Sequence, residues 1–585
     1  MNGHGPKVLV GGLVTVAAAV IAAVVFGEMG GGLGSRSAWS ALGLGLVAGV
    51  ASAAFVPRTR APLRRPSGWV EWAVVACFAL FAFRSFCWLF FENGDQWMFL
   101  SPNNLGDLSI HLTMIGYFAN GAPFWPANPI FAAAPLHYPF GVDLWNALLV
   151  LAGADLMRGL IWTGLFGSAA TGFALWRWGG PFALAGFLFN GGLFGLSLLT
   201  EWKIDAAQGE VAWKSIPLAL FVTQRGLLYA IPAGLLLLWS WRSRFLHRVK
   251  AVPLPVELFL YATLPLFHLH TFLFLSLLLG GWFLLSFLEG VWQELFPPSS
   301  RLALLRFVAL AFVPATLLVW KLTGGLQSGG QIRFQPGWMQ HDQNPFLFWF
   351  GNFGIFPLCV AAVLWHLLRK PTVDKAREAA IVLPCVAIFL LTCFVLFAPW
   401  EWDNTKLMLW SYLALLPAIG ALLARQHIVV RWATCFLLFF SGFFVLWGGL
   451  GGTGYSLAHR SELDNIRPMV AKIPITATFA GHPTFNHPLL LLGRKMVAGY
   501  EGHLQSHGIP YQPAFEALQR VLRGERGWEN DAHALGIDYL FWGREEKQAY
   551  GDWPPASGIG AIAPFAESPW GKLYYLGAKP PPQGR

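Results

Sequence analysis

The chain has little charge and few cysteines. Only 12% of its 585 residues are Asp, Glu, Lys or Arg, about half the share of an ordinary soluble domain. A soluble core is excluded, since 55% of the residues are hydrophobic and 29 Trp and 49 Phe are among them. The six cysteines all lie in apolar runs and none forms a C-x-x-C pair. This argues against a disulfide framework and against a Cys-based metal or redox site.

The basic residues that are present are distributed as in a membrane protein. A net charge of +10 is often a sign of nucleic-acid binding. Here, however, Lys and Arg cluster in short loops between apolar runs of about 18–24 residues, which is the pattern of membrane topology. We therefore predict a polytopic α-helical membrane protein that contacts the lipid bilayer and binds no nucleic acid.

The apolar runs predict about thirteen transmembrane helices. The first is interpreted as an uncleaved span, because no small-x-small cleavage site follows it. The runs cover residues 8–27, 38–56, 69–91, 159–176, 181–199, 216–240, 254–272, 274–293, 302–321, 346–368, 378–398, 406–424 and 429–449.

Basic loops predict the orientation. All of them fall on one side of the membrane if the N-terminus is cytoplasmic and the C-terminus is outside. They lie at 57–66, 241–250, 301–306, 368–377 and 425–431.

Three regions follow from this topology. Residues 1–68 form a transmembrane hairpin with a basic loop, and residues 69–449 form a core with a long first outer loop at 92–158. Residues 450–585 have ordinary polar composition and predict an extracytoplasmic α/β domain, with strands at 473–480 and 537–542 and a helix at 513–523.

The first outer loop carries the clearest candidates for chemistry. Asp107 and His111 are four residues apart in a predicted helix and would share one face. One interpretation is a packing lid in which Asp107 only caps the helix. The other is a general base or a metal ligand held at the membrane surface. His137 and Tyr138 form a second polar cluster further along the loop, together with Asp143.

Three further clusters lie near the outer ends of predicted spans. His268 and His270 flank one residue near an outer turn, as metal ligands or as hydrogen-bonding groups for a substrate. Arg225, next to Gln224, is deep enough in its span to need an anion or a wet cavity. The third cluster is Lys406 with Asp403, which suits a lipid phosphate or is a simple ion pair.

All of these clusters collect on one side of the predicted membrane. A transporter usually has polar groups near mid-membrane and often has broken-helix repeats. The layout instead favours an enzyme that acts where a membrane-embedded substrate meets a soluble acceptor. Transport of a lipid or polysaccharide and a non-catalytic role in envelope assembly remain the alternative hypotheses.

From about residue 69 onwards, the chain resembles the GT-C superfamily of polytopic glycosyltransferases, and within it a group of bacterial membrane proteins. Shared features are the number of spans, a long first outer loop with an early acid, and a C-terminal outer domain. The likeness is carried by GDLSIHL (106–112), LHYPFGVD (136–143), TQRG (223–226), LPLFHLH (264–270), FGNFG (350–354), WEWDNTK (400–406), GRKMVAGYEGHLQSHGIPY (493–511) and LGIDYLFWGREE (535–546).

The resemblance implies an activity and a location. Such enzymes take a sugar from a polyprenyl-phosphate carrier and pass it to a glycan, lipid or protein acceptor on the outer face of the bacterial inner membrane. The loop acid would map onto Asp107, less well onto Asp95, and the reaction would be inverting. In the outer domain, Tyr500 and His503 would contact the acceptor, unless the glycines around them serve only tight turns.

Two departures from the family pattern limit what it implies. The loop has no early D-x-D pair, so no metal site is predicted with certainty. A divalent metal is left open, with Asp107, His111, His268 and His270 as the candidate ligands. The WWDYG-type signature of oligosaccharyltransferases is absent from the sequence, so N-glycosylation of protein is not predicted.

Overall fold

The computed structural model describes residues 5–57, 65–197, 208–209, 211–249, 251–325, 332–370, 372–551 and 562–577. Most of these residues are helical. The α-helices are α1 (Gly5–Gly30), α2 (Ser35–Phe55), α3 (Trp69–Cys87), α4 (Leu105–Ala119), α5 (Gly141–Leu151), α6 (Leu156–Leu188), α7 (Leu227–Trp241), α8 (Leu254–Thr263), α9 (Leu269–Leu285), α10 (Val291–Leu295), α11 (Pro298–Leu322), α12 (Pro345–Phe353), α13 (Phe356–Leu368), α14 (Val373–Thr392), α15 (Thr405–Ala424), α16 (Ile428–Leu450), α17 (Arg460–Ala471), α18 (Pro488–Leu491), α19 (Glu501–Ser506), α20 (Gln512–Arg523), α21 (Trp528–Ala534) and α22 (Arg544–Tyr550).

The strands are short and belong to four sheets. They are β1 (Phe91–Asn93), β2 (Gln96–Phe99), β3 (Ala127–Asn128), β4 (Phe131–Pro135), β5 (Arg333–Phe334), β6 (Val395–Leu396), β7 (Tyr455–His459), β8 (Thr478–Ala480), β9 (Lys495–Met496), β10 (Tyr539–Trp542), β11 (Ala566–Ser568) and β12 (Gly571–Tyr575).

The predicted spans coincide with helices, but many of those helices are short or broken. Within the described residues, six helices are long and apolar enough to cross a membrane, or seven if α12 and α13 count as one span bent by 83°. They are α1, α2, α3, α11, α16 and α15 with the turn before it. The count of about thirteen is therefore not confirmed.

The interruptions in the remaining spans have identifiable causes. The two runs predicted at 159–176 and 181–199 correspond to the two helical parts of α6, which are separated by a kink where Gly179 and Gly180 leave helical geometry. The run at 216–240 is divided into a π-helical turn, Ile216–Phe221, and α7. Non-helical backbone is tolerated at membrane depth where it is buried in protein or lines a cavity. The break between these two pieces lies at Gln224 and Gly226, which line the cavity described below.

The region after Leu450 contains a five-stranded sheet in the order β11-β12-β10-β8-β9. β8 pairs in parallel with β9 and β10, and β12 is antiparallel to β10. The predicted strands at 473–480 and 537–542 correspond to β8 and β10, and the predicted helix at 513–523 corresponds to α20. An α/β arrangement is thus present in this region.

This region packs onto the first long loop of the core. β7 adds to the hairpin of β1 and β2, which makes a three-stranded sheet from segments some 360 residues apart in sequence. The α4 helix also packs directly on the segment before β9: a Cβ on Gly493, whose φ is +70°, would lie 2.3 Å from the backbone of Gly116. Asn120 donates a hydrogen bond to the Leu492 carbonyl at 2.9 Å. The helix that carries Asp107 is therefore held by the C-terminal region.

Candidate functional site

One large cavity lies between the first long loop, the core helices and the C-terminal region. We call it the central cavity; its volume is about 1600 Å³. Ten of the twelve side chains predicted to act in catalysis or substrate binding line it, although they come from segments hundreds of residues apart. These are Asp107, His137, Tyr138, Gln224, His268, His270, Asp403, Lys406, Tyr500 and His503.

Asp107 lies in the first turn of α4 and is partly exposed to the central cavity. Burial raises the pKa of its carboxyl above the usual range, while the positive charges of His111 and Lys406 oppose that shift. The preceding residue matters for its surroundings: a Cβ on Gly106 would lie 2.7 Å from Nε2 of His503. Glycine at this position lets an imidazole of the C-terminal region approach the start of α4.

His268 lines the central cavity and has a buried hydrogen-bond donor without a partner among the described residues. Trp410 donates its indole N–H to Oγ1 of Thr271 at 2.7 Å. The hydroxyl of Thr271 is then free to donate to Nδ1 of His268, 2.8 Å away, and the backbone N–H of Thr271 donates to the same nitrogen at 3.2 Å. With Nδ1 accepting, the proton of the neutral ring is on Nε2. That nitrogen is buried and has no partner among the described residues.

Two more polar groups flank this donor. Nε2 of His270 is also buried without a hydrogen-bond partner among the described residues, and the two imidazole rings are 5.7 Å apart. Lys406, at the start of α15, forms an ion pair with Asp403 at 2.8 Å, with both side chains 16% exposed. This wall of the central cavity thus combines two imidazoles with an ammonium group.

Residues of the C-terminal region form another part of the cavity lining. Tyr500 packs its ring edge-on against His503, with centroids 5.3 Å apart. His507 lies 5.2 Å from the ring of Tyr138. Burial lowers the pKa of His503 to about 4 and that of His507 to about 3. Both rings are neutral at pH 7, so this wall offers uncharged donors, acceptors and aromatic surfaces.

His111 is placed differently from Asp107, although the two share a helix. It does not line the central cavity. Its Nδ1 lies 2.9 Å from the Asp143 carboxylate and its Nε2 lies 3.2 Å from the carbonyl of Thr223. Both partners are acceptors, which an imidazolium satisfies with one N–H each. The contacts of His111 tie α4 to α5 and to the break before α7, which corrects the expectation that it faces the substrate together with Asp107.

Arg225 is also absent from the cavity lining. It is 1% exposed, and none of its three guanidinium nitrogens has a hydrogen-bond partner among the described residues. The Asp143 carboxylate attracts the positive charge of Arg225. Its neighbours Gln224 and Gly226 both line the central cavity. The guanidinium therefore lies behind the cavity wall.

The possible metal site is not supported by the geometry. Among the described residues, no group of three or more His, Cys, Asp or Glu side chains is arranged to hold a metal ion. Of the four candidate ligands, His111 has both ring nitrogens engaged by Asp143 and Thr223.

Asp95, the second choice for the loop acid, accepts hydrogen bonds from Ser461 outside the central cavity.

Sequence reasoning did not select several residues that line the central cavity. Glu401 accepts hydrogen bonds from Gln335 at 2.7 Å and His341 at 3.0 Å, which ties the 333–341 segment to the turn before α15. Glu401 stands in the same WEWDNTK motif as Asp403, so the signal was present. Asn103 and Lys214 also line the cavity, but neither stands in a recognisable motif.

Comparisons with known proteins return structural similarity only. No family model matches the chain, and no curated protein matches it. It is similar to the oligosaccharyltransferase of Archaeoglobus fulgidus tethered to an acceptor peptide with the NVT sequon, at 12% identity and a TM-score of 0.46 over 82% of this chain and 69% of that one. It is also similar to the oligosaccharyltransferase AglB of the same archaeon in complex with an inhibitory peptide and a dolichol-phosphate, at 12% identity and a TM-score of 0.43 over 81% and 69%.

At such identities and TM-scores these matches carry no argument about function, which has to be argued from the central cavity itself.

Proposed function

We propose that this protein is a membrane glycosyltransferase that moves a sugar from a polyprenyl-phosphate carrier to an acceptor hydroxyl. The observation that supports this most is the meeting of a partly buried carboxylate, Asp107, with a cationic and imidazole-rich wall in one cavity of about 1600 Å³. A transfer of this type needs a base for the acceptor and a site for a phosphate leaving group. Asp107 would supply the base, and the wall of His268, His270 and Lys406 would bind the phosphate.

The phosphate would bind at the wall of His268, His270 and Lys406. Nε2–H of His268 is an unpartnered buried donor, and a phosphate oxygen gives it a strong, charge-assisted hydrogen bond. Lys406 would move part of its interaction from Asp403 to the phosphate. These groups favour the state with the greatest negative charge on the phosphate, which is the departing polyprenyl phosphate.

Asp107 would be the general base. The acceptor oxygen attacks the anomeric carbon of the sugar while its proton passes to the Asp107 carboxylate. The bond between that carbon and the phosphate oxygen breaks, and its electron pair leaves with the polyprenyl phosphate. One displacement inverts the anomeric configuration. The raised pKa of Asp107 suits this role, because a base is most effective when its pKa approaches the working pH.

The acceptor would enter beside the C-terminal region. Tyr500, His503 and Tyr138 supply neutral hydrogen-bonding groups and aromatic faces there. The central cavity would then lie at the outer surface of the bacterial inner membrane. The matching topology has about thirteen spans, a cytoplasmic N-terminus and a periplasmic C-terminal domain. The acceptor would then be a component of the cell envelope.

The test measures the product that every such transfer shares, the free polyprenyl phosphate. Purified protein in nanodiscs is given a panel of synthetic polyprenyl-phosphate hexoses and pentoses with a membrane-extract acceptor, and release is quantified by mass spectrometry. Asp107→Asn should lower release at least 100-fold. The matched control Asp464→Asn changes an exposed acid of α17 and should leave it unaltered. Equal release by wild type and Asp107→Asn, with both monodisperse, would contradict the proposal.

A further inference from the structure

A second cavity lies at the other end of the bundle, and we propose that it binds one anionic phospholipid of the surrounding bilayer. Its volume is about 870 Å³. We call it the basic groove. Its lining includes Ala361, Ala362, His366, Arg369, Lys370 and Gln426.

The basic groove is separated from the central cavity by the length of α15. Lys406, near the start of that helix, lines the central cavity, whereas Gln426, just past its end, lines the groove. Twenty residues at about 1.5 Å each place the two sites about 30 Å apart. This is about the thickness of the hydrocarbon core of a bilayer. The two sites therefore face opposite leaflets.

Polar and apolar residues are segregated along the basic groove. The wall contributed by α13, α15 and α16 is mainly apolar, and Ala361 and Ala362 of α13 are exposed there. The small alanine side chains leave the space that makes the groove. At its end, where α13 finishes, the lining changes to His366, Arg369 and Lys370. A ligand that fits both parts is apolar over most of its length and anionic at one end.

The charges at the basic end are not neutralised by nearby carboxylates. No Asp or Glu is among the described residues that line the groove. The adjacent Asp374 pairs with Arg377 at 2.6 Å. Lys375 donates to the carbonyls of His366 and Arg369, each at 2.8 Å, and so adds positive charge at the C-terminal end of α13.

Three cations are available to a headgroup, namely Arg369, Lys370 and Arg425. Arg369 and Lys370 are exposed, and the guanidinium of Arg369 lies 5.9 Å from the ring of Trp365. Arg425, at the end of α15, contacts Nε2 of His366 at 3.0 Å. Basic clusters at the cytoplasmic ends of transmembrane helices bind anionic lipid headgroups. A free anion would use the cations alone and would leave the aliphatic wall uncovered.

The experiment is native mass spectrometry of the intact protein, delipidated in detergent and titrated with dioleoyl phosphatidylglycerol or dioleoyl phosphatidylcholine. Wild type should retain one phosphatidylglycerol with at least tenfold preference over phosphatidylcholine. The double variant Arg369→Gln and Lys370→Gln should lose that preference. The matched control, Arg301→Gln and Arg306→Gln, removes the same charge from α11 outside the groove and should keep it. Ala362→Trp fills the groove without changing charge and should abolish the bound lipid.

Three results would overturn the proposal. Equal retention of the two lipids by wild type would remove the charge argument, and equal losses in both double variants would mean that any surface cation serves. Displacement of the lipid by glycerophosphoglycerol, which has the headgroup without acyl chains, would mean that the apolar wall is not used. None of these results bears on sugar transfer, so the basic groove and the proposed activity can fail separately.

Discussion

Replacing His268 tests the polar wall of the central cavity most sharply, because the structure fixes which ring nitrogen is the donor. His268→Phe keeps a planar ring but removes the Nε2–H. A hydrogen bond to a charged group contributes about 1.5–3 kcal/mol, which corresponds to about a 10- to 150-fold weaker Kd for polyprenyl phosphate. His268→Gln retains an N–H donor on a side chain of similar reach, and binding should recover to within about fivefold of wild type.

The assay is tryptophan-fluorescence titration of the nanodisc-embedded protein with polyprenyl phosphate. His533→Phe is the matched control, since His533 is exposed on α21 away from the central cavity. Unchanged affinity in His268→Phe would refute the tautomer argument. An equal loss in His268→Gln and His268→Phe would do the same, because it would mean that the donor at Nε2 is not what the phosphate uses.

Three further outcomes are expected. The acid limb of the pH profile of kcat/KM should lie above the ordinary Asp value of 3.8, because burial raises the pKa of Asp107. Lys406→Gln removes a positive charge that lowers this pKa, so the acid limb should move to higher pH in that variant. Gly106→Ala should slow transfer with little change in donor affinity, since the new methyl group would lie 2.7 Å from His503; retained transfer would argue against close docking. Glu546→Gln should destabilise the C-terminal sheet by about 1.5–3 kcal/mol, the contribution of a hydrogen bond to a charged group, here the one that His487 donates from Nε2, and hydrogen exchange in β8 and β10 would report it.

The last of these variants also has a pH signature. The pKa of Glu546 is lowered by His487 and by backbone donors, which outweigh the effect of burial. A lowered folded-state pKa gives stability that is present above the unfolded value of about 4.5 and is lost as the pH falls through the folded pKa. Hydrogen-exchange protection of β8 and β10 in the wild type should therefore fall as the pH drops below about 4.5. The same drop in pH should reduce protection less in Glu546→Gln.

Much of the fold could be predicted from sequence because the determining patterns are local. The apolar runs mark nearly every core helix, and short strand-like runs marked β8 and β10. The break at Gly179 and Gly180 was marked as well, because it falls between the runs predicted at 159–176 and 181–199. The division of the run at 216–240 and the bend between α12 and α13 could not be predicted in the same way, since both depend on how the helices pack.

The site shows the same division between local and long-range information. Asp107, Lys406 and His268 could be chosen individually, because polar residues next to apolar runs are conspicuous. What each one contacts depended on pairings across the chain. The Thr271 hydroxyl that sets the tautomer of His268 is in turn held by Trp410, 139 residues away. Asp143 on α5 forms a hydrogen bond with His111 on α4. No spacing rule within α4 could indicate this contact.

The most direct measurement of the central claim is a cryo-electron microscopy structure of the nanodisc-embedded protein with a polyprenyl-phosphonate sugar, whose carbon linkage cannot be cleaved. The phosphonate should lie within hydrogen-bonding distance of Nζ of Lys406 and Nε2 of His268, with the anomeric carbon facing Asp107. A headgroup bound elsewhere in the bundle, with the central cavity free of lipid, would contradict the account.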